Sequence, residues 1–297
     1  MKLTAETMIH GDLETLWALT QTPEHHVRWD MRFTDIGTIP TSGPGDLQKF
    51  RYATRIGFGK AIEGCGETIP AKDHGASTLR FGSDDAKSLI SEGTGYWSYK
   101  PFEGGVNFST AYDYYVRYGR LGVAVDRLVF RPLMVWATRW SFDRLRLWIE
   151  KGIAPELSIR LWFIKLAART AVGLVWILEG LIPKLLWVSS EEVELVGRSG
   201  MFWISPAWTL GALGIAEILA GLWMLYGRAE RLTMAASILF TIAISSIVVM
   251  TDPSALANPL GGISKNLALI ACAVAVFLLS SISPAAKQAG CRQGEKP

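Results

Sequence analysis

Two carboxylates sit where carboxylates are costly. Glu179 falls near the middle of the apolar run Thr170–Trp187, and Glu217 near the middle of Pro206–Tyr226. A charge at the centre of a bilayer costs at least about 2.5–3.5 kcal/mol on insertion scales, so each must be compensated or used. Lys184 follows Glu179 by five residues, and Pro183 between them frees a carbonyl in the preceding turn. Lys265 and Asn266 open a later apolar run. Glu217 shares a helical face with Gly211, Gly214 and Gly221, and small residues of that kind let helices approach closely. Two poorly solvated carboxyls at one depth suit capture of a proton or a cation. The plainer alternative is polar contact between helices, with the carboxyls paired to Lys184, Lys265 or Asn266. The stripe Thr233, Ser237, Thr241, Ser245 at i+4 spacing would add to it.

The elements that must position these residues are long apolar segments at Thr170–Trp187, Pro206–Tyr226, Leu232–Met250 and Leu267–Ser283. Each approaches or passes the roughly 20 residues a helix needs to cross about 30 Å of hydrocarbon, which predicts four transmembrane helices. Nothing before Thr170 has that character, so the mean hydropathy of +0.23 averages a polar half with an apolar one. The start of the chain, MKLTAETMIHGDLETLW, reads as lacking a cleaved signal peptide. On the side shared by the N-terminal half, the loop between the second and third runs, and the C-terminus lie Arg160, Lys165, Arg169, Arg228, Arg231, Lys287, Arg292 and Lys296. Lys184, Arg198 and Lys265 lie on the other side among Glu191, Glu192, Glu194 and Asp252. That asymmetry predicts a multi-pass cell (inner) membrane protein with both termini in the cytoplasm. Cys65, Cys272 and Cys291 show neither a disulfide framework nor metal-ligand spacing.

The first half reads as a strand over 2–9, a helix capped by Asp12, a short turn opened by Thr22-Pro23, and further strands near 33–39, 47–57, 60–70, 77–82, 88–100 and 105–118. Turn compositions at Thr41–Gly45, Ala71–Gly75, Ser83–Asp85 and Glu103–Gly105 separate the strands. Beyond Leu121 the period becomes helical, with Leu128, Val135, Phe142 and Ile149 seven apart and arginines between them.

That order, with His25-His26-Val27-Arg28-Trp29-Asp30 after the second helix and Gly95-Tyr96-Trp97 in a long hairpin, resembles the START-like (SRPBCC, helix-grip) superfamily. The resemblance implies an α+β domain, an antiparallel sheet curled around a long C-terminal helix, with a hydrophobic cavity between them. Trp29, Tyr96, Trp97, Tyr99, Tyr112 and Tyr114 are the aromatic candidates for lining it. In the second half, Trp176-Ile-Leu-Glu179-Gly180-Leu-Ile-Pro183-Lys184-Leu185, Gly214-Ile-Ala-Glu217, Asn258-Pro259 and Lys265-Asn266 together are similar to the DoxX-like four-helix family. The expected organisation is a START-like domain over 1–152, an amphipathic connector over 153–169, a DoxX-like domain over 170–283 and a polar tail over 284–297.

Other candidates are weaker. His25 and His26 could act as acid and base, but adjacent side chains diverge and a surface turn accounts for them. Glu63, Cys65 and Glu67 share one strand face, which reads as solvated. Gly57-Phe-Gly59-Lys60 is neither a phosphate loop nor a dinucleotide fingerprint. The Arg-rich helix over 127–151, with Trp136, Trp140 and Trp148, fits anionic headgroups rather than nucleic acid. Three function classes follow: a membrane-tethered module binding an apolar small molecule or lipid, a membrane subunit of a quinone-linked oxidoreductase or redox-stress complex working with other membrane redox subunits, and an assembly partner without a ligand.

Overall fold

In the computed structural model, residues 2–40, 43, 47–57, 59–70, 75–200, 205–257 and 262–286 are described. Several sequence features lie outside them: most of the Thr41–Gly45 and Ala71–Gly75 turns, Phe58, Asn258-Pro259, and Lys287, Cys291, Arg292 and Lys296 of the tail. The chain divides into two compact units, one built on the residues up to Ile159 and the other on Arg160–Ser283.

The first unit is a seven-stranded antiparallel sheet of order β1-β7-β6-β5-β4-β3-β2. Its strands are β1 (Lys2–Ile9), β2 (Asp35–Ile39), β3 (Gln48–Gly57), β4 (Lys60–Pro70), β5 (Ala76–Gly82), β6 (Ile90–Phe102) and β7 (Gly105–Val116). Two short helices, α1 (Leu13–Gln21) and α2 (Pro23–Trp29), interrupt it after β1. Asp12 caps α1 by accepting from the Thr15 N–H at 2.7 Å, and Pro23 opens α2 where no helical N–H is needed.

The long helix follows as α3 (Gly119–Val125), a π-helical turn Asp126–Phe130, and α4 (Arg131–Lys151). That turn changes the helical phase, and with it one reading made from the sequence. Phe142 is fully buried and Ile149 packs against the core, but Leu128, within the π turn, is 76% exposed. A solid core of Ile9, Leu16, Trp29, Tyr99, Phe108, Phe142 and Leu145 fills the space between α4 and the β1-β7-β6 half of the sheet. The β2–β5 half is left to face the helix across an open space.

The second unit contains α5 (Pro155–Leu181), which begins in the first unit and continues through a π-helical turn Ile182–Leu186. It is followed by α6 (Ser190–Ser199), α7 (Pro206–Tyr226), α8 (Glu230–Thr251) and α9 (Ser264–Leu279). The expected connector over 153–169 is not a separate element. No proline stands between Pro155 and Pro183, so the connector and the first span form one apolar helix of 32 residues including the π turn. Pro155–Leu186, Pro206–Tyr226 and Glu230–Thr251 are long and apolar enough to cross a membrane, whereas Ser264–Leu279 is a shorter apolar helix. The acid-rich α6 lies between the first two apolar spans.

Candidate functional site

Period-two alternation decides what the first unit's cavity is made of. Side chains of one parity face inward: Ile36 and Thr38 on β2, Phe50, Tyr52 and Thr54 on β3, Leu79 and Phe81 on β5, Trp97 on β6, and Tyr112 and Tyr114 on β7. With Phe130, Leu133, Met134 and Trp136 from the long helix they enclose a cavity of about 600 Å³, within the usual range for small-molecule sites. Its floor depends on glycine. Tyr52 lies across its directly paired neighbour Gly64, Phe50 across Gly66, Phe81 across Gly93 and Tyr112 across Gly95. A Cβ at any of the four would collide with the ring above it, so these glycines let the aromatic rings lie along the sheet.

One stretch of cavity wall is polar. The Asp30 carboxylate, fully buried, accepts from Arg32 through Nε at 2.9 Å and Nη2 at 2.5 Å, and it bonds the His26 Nε2 at 3.2 Å. Arg32 also donates to the Tyr112 hydroxyl at 3.3 Å and the Thr138 hydroxyl at 3.2 Å, and the Trp97 indole N–H donates to that same Tyr112 oxygen at 3.0 Å. The His26 ring stacks on Trp29 with centroids 4.9 Å apart. Burial pushes the Asp30 carboxyl up, but the Arg32 guanidinium and His26 outweigh it and hold it well below the usual carboxylate range. Burial likewise works against the charge on Arg32, and Asp30 more than restores it. Burial pushes the Tyr52 phenol up to about 12, so it stays a neutral hydrogen-bonding group at neutral pH. This stretch of wall thus offers an internally paired ion pair and neutral hydrogen-bonding groups to a mostly apolar space.

Of the six aromatic candidates, Trp97, Tyr112 and Tyr114 line this cavity. Trp29 and Tyr99 do not. They belong to the solid core, where the Tyr99 hydroxyl meets the Thr20 hydroxyl at 2.7 Å and accepts from Gln21 at 2.9 Å. Tyr96 points to the opposite face and is 47% exposed, as the alternation with Trp97 requires. His26 belongs to the cavity rather than to a surface turn, while His25 turns away toward Trp148. Sequence reasoning missed Arg32. Its only signal was an acid and a base two residues apart after a tryptophan, a spacing that surface loops share. Cys65 is exposed on the outer face with Glu63, as expected. The arginines of the long helix are not one headgroup-binding set. Arg144 is buried and donates to the carbonyls of Trp29, Arg28 and Pro155, and burial lowers its pKa to about 10.

The second unit gathers the membrane polar residues. Pro183 has no N–H to give to the carbonyl of Glu179, and the Lys184 ammonium donates to that oxygen at 3.0 Å. Lys184 also pairs with Glu217 at 2.9 Å and approaches Glu192 at 3.7 Å, while Lys265 pairs with Glu179. Asn266 donates to Ser245 at 2.9 Å. Glu179, Lys184, Glu217, Thr241 and Asn266 line a cavity of only about 120 Å³, with the Trp176 indole N–H buried at its wall and unpartnered among the described residues. The glycine face of α7 works through two of its three members. Gly214 and Gly221 lie against the backbones of Gly180 and Gly173 on α5, whereas no described residue lies within 4 Å of the Cβ position of Gly211.

Residues 173–274 match the DoxX-like family. A Bacillus subtilis (strain 168) protein described as "Uncharacterized membrane protein YndG" is 45% identical over 208 residues, which cover 68% of this chain and 76% of that protein. Among solved structures, the di-domain ARO/CYC StfQ from the steffimycin biosynthetic pathway is similar at 10% identity over 51% of each chain, with a TM-score of 0.42. The Zhui aromatase/cyclase from Streptomyces sp. R1128 is similar at 9% identity over 49% of this chain and 96% of that one, with a TM-score of 0.37.

Proposed function

This chain belongs to the family of the Bacillus subtilis membrane protein YndG, with a DoxX-like membrane half, and from that premise we propose that its START-like half binds an apolar small molecule or lipid. The observation that carries the reading is the cavity of about 600 Å³, apolar and aromatic on most of its wall and polar at His26, Arg32 and Tyr112. Such a wall suits a neutral, mostly hydrocarbon or aromatic guest with one oxygen function. A free anion gains little from Arg32, because Asp30 already neutralises it. The basic asymmetry of the flanks supports a cytoplasmic position for this half in the inner membrane. Alkaline phosphatase fused after Gly197 is then active and after Gly227 inactive; the reverse pattern overturns the orientation.

Extraction of full-length protein purified in mild detergent, followed by mass spectrometry, tests the binding. The wild-type protein should carry an apolar molecule, and Leu79→Trp, which fills the cavity, should lose it while still folding. An empty wild-type extract, or a guest retained equally by Leu79→Trp, overturns the reading. A recovered quinone that survives Leu79→Trp and is lost from Glu217→Gln would support the quinone-linked alternative instead.

A further inference from the structure

Among the described residues, the first unit carries one strip of large apolar side chains that stays exposed. Leu121, Val125, Val129, Leu133 and Trp136 follow one another along the long helix at spacings of four, four, four and three, and are 72%, 43%, 61%, 56% and 38% exposed. Leu128 stands beside them at 76%, and Tyr115 and Tyr118 precede them, also exposed. This is a continuous apolar stripe on a helix whose opposite side grips the sheet, and scattered surface hydrophobics do not line up in this way.

Along the helix itself the exposed charges beside the stripe are of one sign. From Tyr115 to Ala137 the only acid is Asp126, which is fully buried and paired with Arg131 at 2.5 Å and with the Tyr114 hydroxyl at 2.6 Å. Arg120 and Arg127 are exposed beside the stripe. Apolar residues, tyrosines and a tryptophan flanked by outward arginines make the chemistry of a surface that sits in the headgroup region of an anionic bilayer. The chain itself supplies the bilayer. Only Gly152-Ile153-Ala154 separate the end of α4 from the helix that begins at Pro155 and carries the first apolar span, so this unit is tethered to the membrane by a short connection.

The stripe also runs into the cavity. Leu133 and Trp136 line it, and so do Met31 and Ile56, which are 40% and 48% exposed. The rim of the opening is therefore apolar at these four residues, with the exposed Arg55 beside Ile56.

We propose that the face formed by Leu121, Val125, Leu128, Val129 and Leu133 docks on the anionic lipid surface and that the cavity opens toward lipid there. Docking does not require that any ligand be bound, so it stands or falls separately from the binding reading.

The test uses the full chain, with its three cysteines replaced by serine, reconstituted into vesicles of phosphatidylcholine and phosphatidylglycerol. An environment-sensitive fluorophore is attached at Leu128→Cys, at Val125→Cys, or at Glu103→Cys on the exposed β6–β7 turn. Nitroxide-labelled lipid should quench the first two labels several-fold more than the third, with blue-shifted emission. Replacing Arg120 and Arg127 by glutamine, or omitting phosphatidylglycerol, should reduce that quenching. Water-like emission without quenching at both stripe positions overturns the proposal. Blue-shifted emission without lipid quenching overturns it too, because the stripe would then be covered by protein, such as a second copy of the chain.

Discussion

Both units bury ion pairs beside a cavity, yet the two arrangements differ in what the charge faces. In the first unit Asp30 and Arg32 satisfy each other within the wall, and the space beyond them is large and apolar. In the second unit Glu179, Lys184 and Glu217 themselves form much of the lining of a space about one fifth the size. A large cavity whose buried charges are already paired presents mostly apolar surface to a hydrophobic guest. A small cavity lined by charges has room for water or a cation, and its lysines hold α5, α7 and the start of α9 together whether or not anything enters.

The sharpest way to break this contrast is to remove the carboxylate from the first pair. Asp30→Asn leaves the Arg32 guanidinium buried without its counter-charge, which typically costs about 3–5 kcal/mol. We expect a loss of thermal stability confined to the first unit and measurable by hydrogen exchange on full-length protein. The same pair sets an acid limit. The folded pKa of Asp30 lies below its unfolded value near 3.8, so its contribution is fully present above that value and is lost as pH falls below about 4. Hydrogen exchange of the first unit should therefore accelerate on acidification more in the wild type than in Asp30→Asn. Equal acid sensitivity of the two proteins would remove Asp30 as a determinant of the fold.

The corresponding change in the membrane unit should be milder. Glu217→Leu deprives Lys184 of its nearest carboxylate, but Glu192 and the Glu179 carbonyl remain within reach, so we expect a loss on the order of 1–3 kcal/mol. Glu217→Gln and Glu179→Gln keep shape and hydrogen bonding and should leave melting in detergent nearly unchanged. If the glutamine variants melt normally but abolish a cellular phenotype or ligand retention, the carboxylates are functional and the clamp account fails. Normal melting and normal function for glutamine, with a destabilised leucine variant, leave the cluster as a clamp between helices.

Periodicity made the element order legible, since alternation over β3 to β7 and the four apolar runs depend only on which side of each residue faces water. The carboxyl–lysine cluster was legible for the same reason, because charge inside an apolar run stands out against its surroundings. What stayed hidden depended on phase and on distance along the chain. The π turn at Asp126–Phe130 rotates Leu128 out of the face that its spacing from Phe142 suggested. Trp29 and Tyr99 have the composition of pocket residues, but α1 and α4 close over them and fill the space. Arg32 meets Tyr112 and Thr138, which lie 80 and 106 residues away in the chain, and no local pattern announces such partners. Gly64, Gly66, Gly93 and Gly95 carry no local sign of the cross-strand rings that lie over them.

The smallest and most selective test concerns Tyr112, whose oxygen receives both the Arg32 guanidinium and the Trp97 indole. Tyr112→Phe keeps the ring that lies over Gly95 and removes only the acceptor, so the packing term should be almost unchanged. Arg32 retains Asp30 and Thr138, which limits its loss, while the Trp97 N–H turns toward the cavity without a partner. An unmade hydrogen bond of this kind costs about 1–3 kcal/mol when nothing replaces it. A bound guest with an oxygen function can replace it. We therefore expect Tyr112→Phe to melt slightly lower than wild type when freed of ligand, and to change its selectivity toward guests that accept a hydrogen bond. A variant that melts lower but retains the same extracted molecule in the same amount would show that the Tyr112 hydroxyl serves the wall and not the guest. The polar stretch of the first cavity would then be, like the membrane cluster, a device that holds elements together.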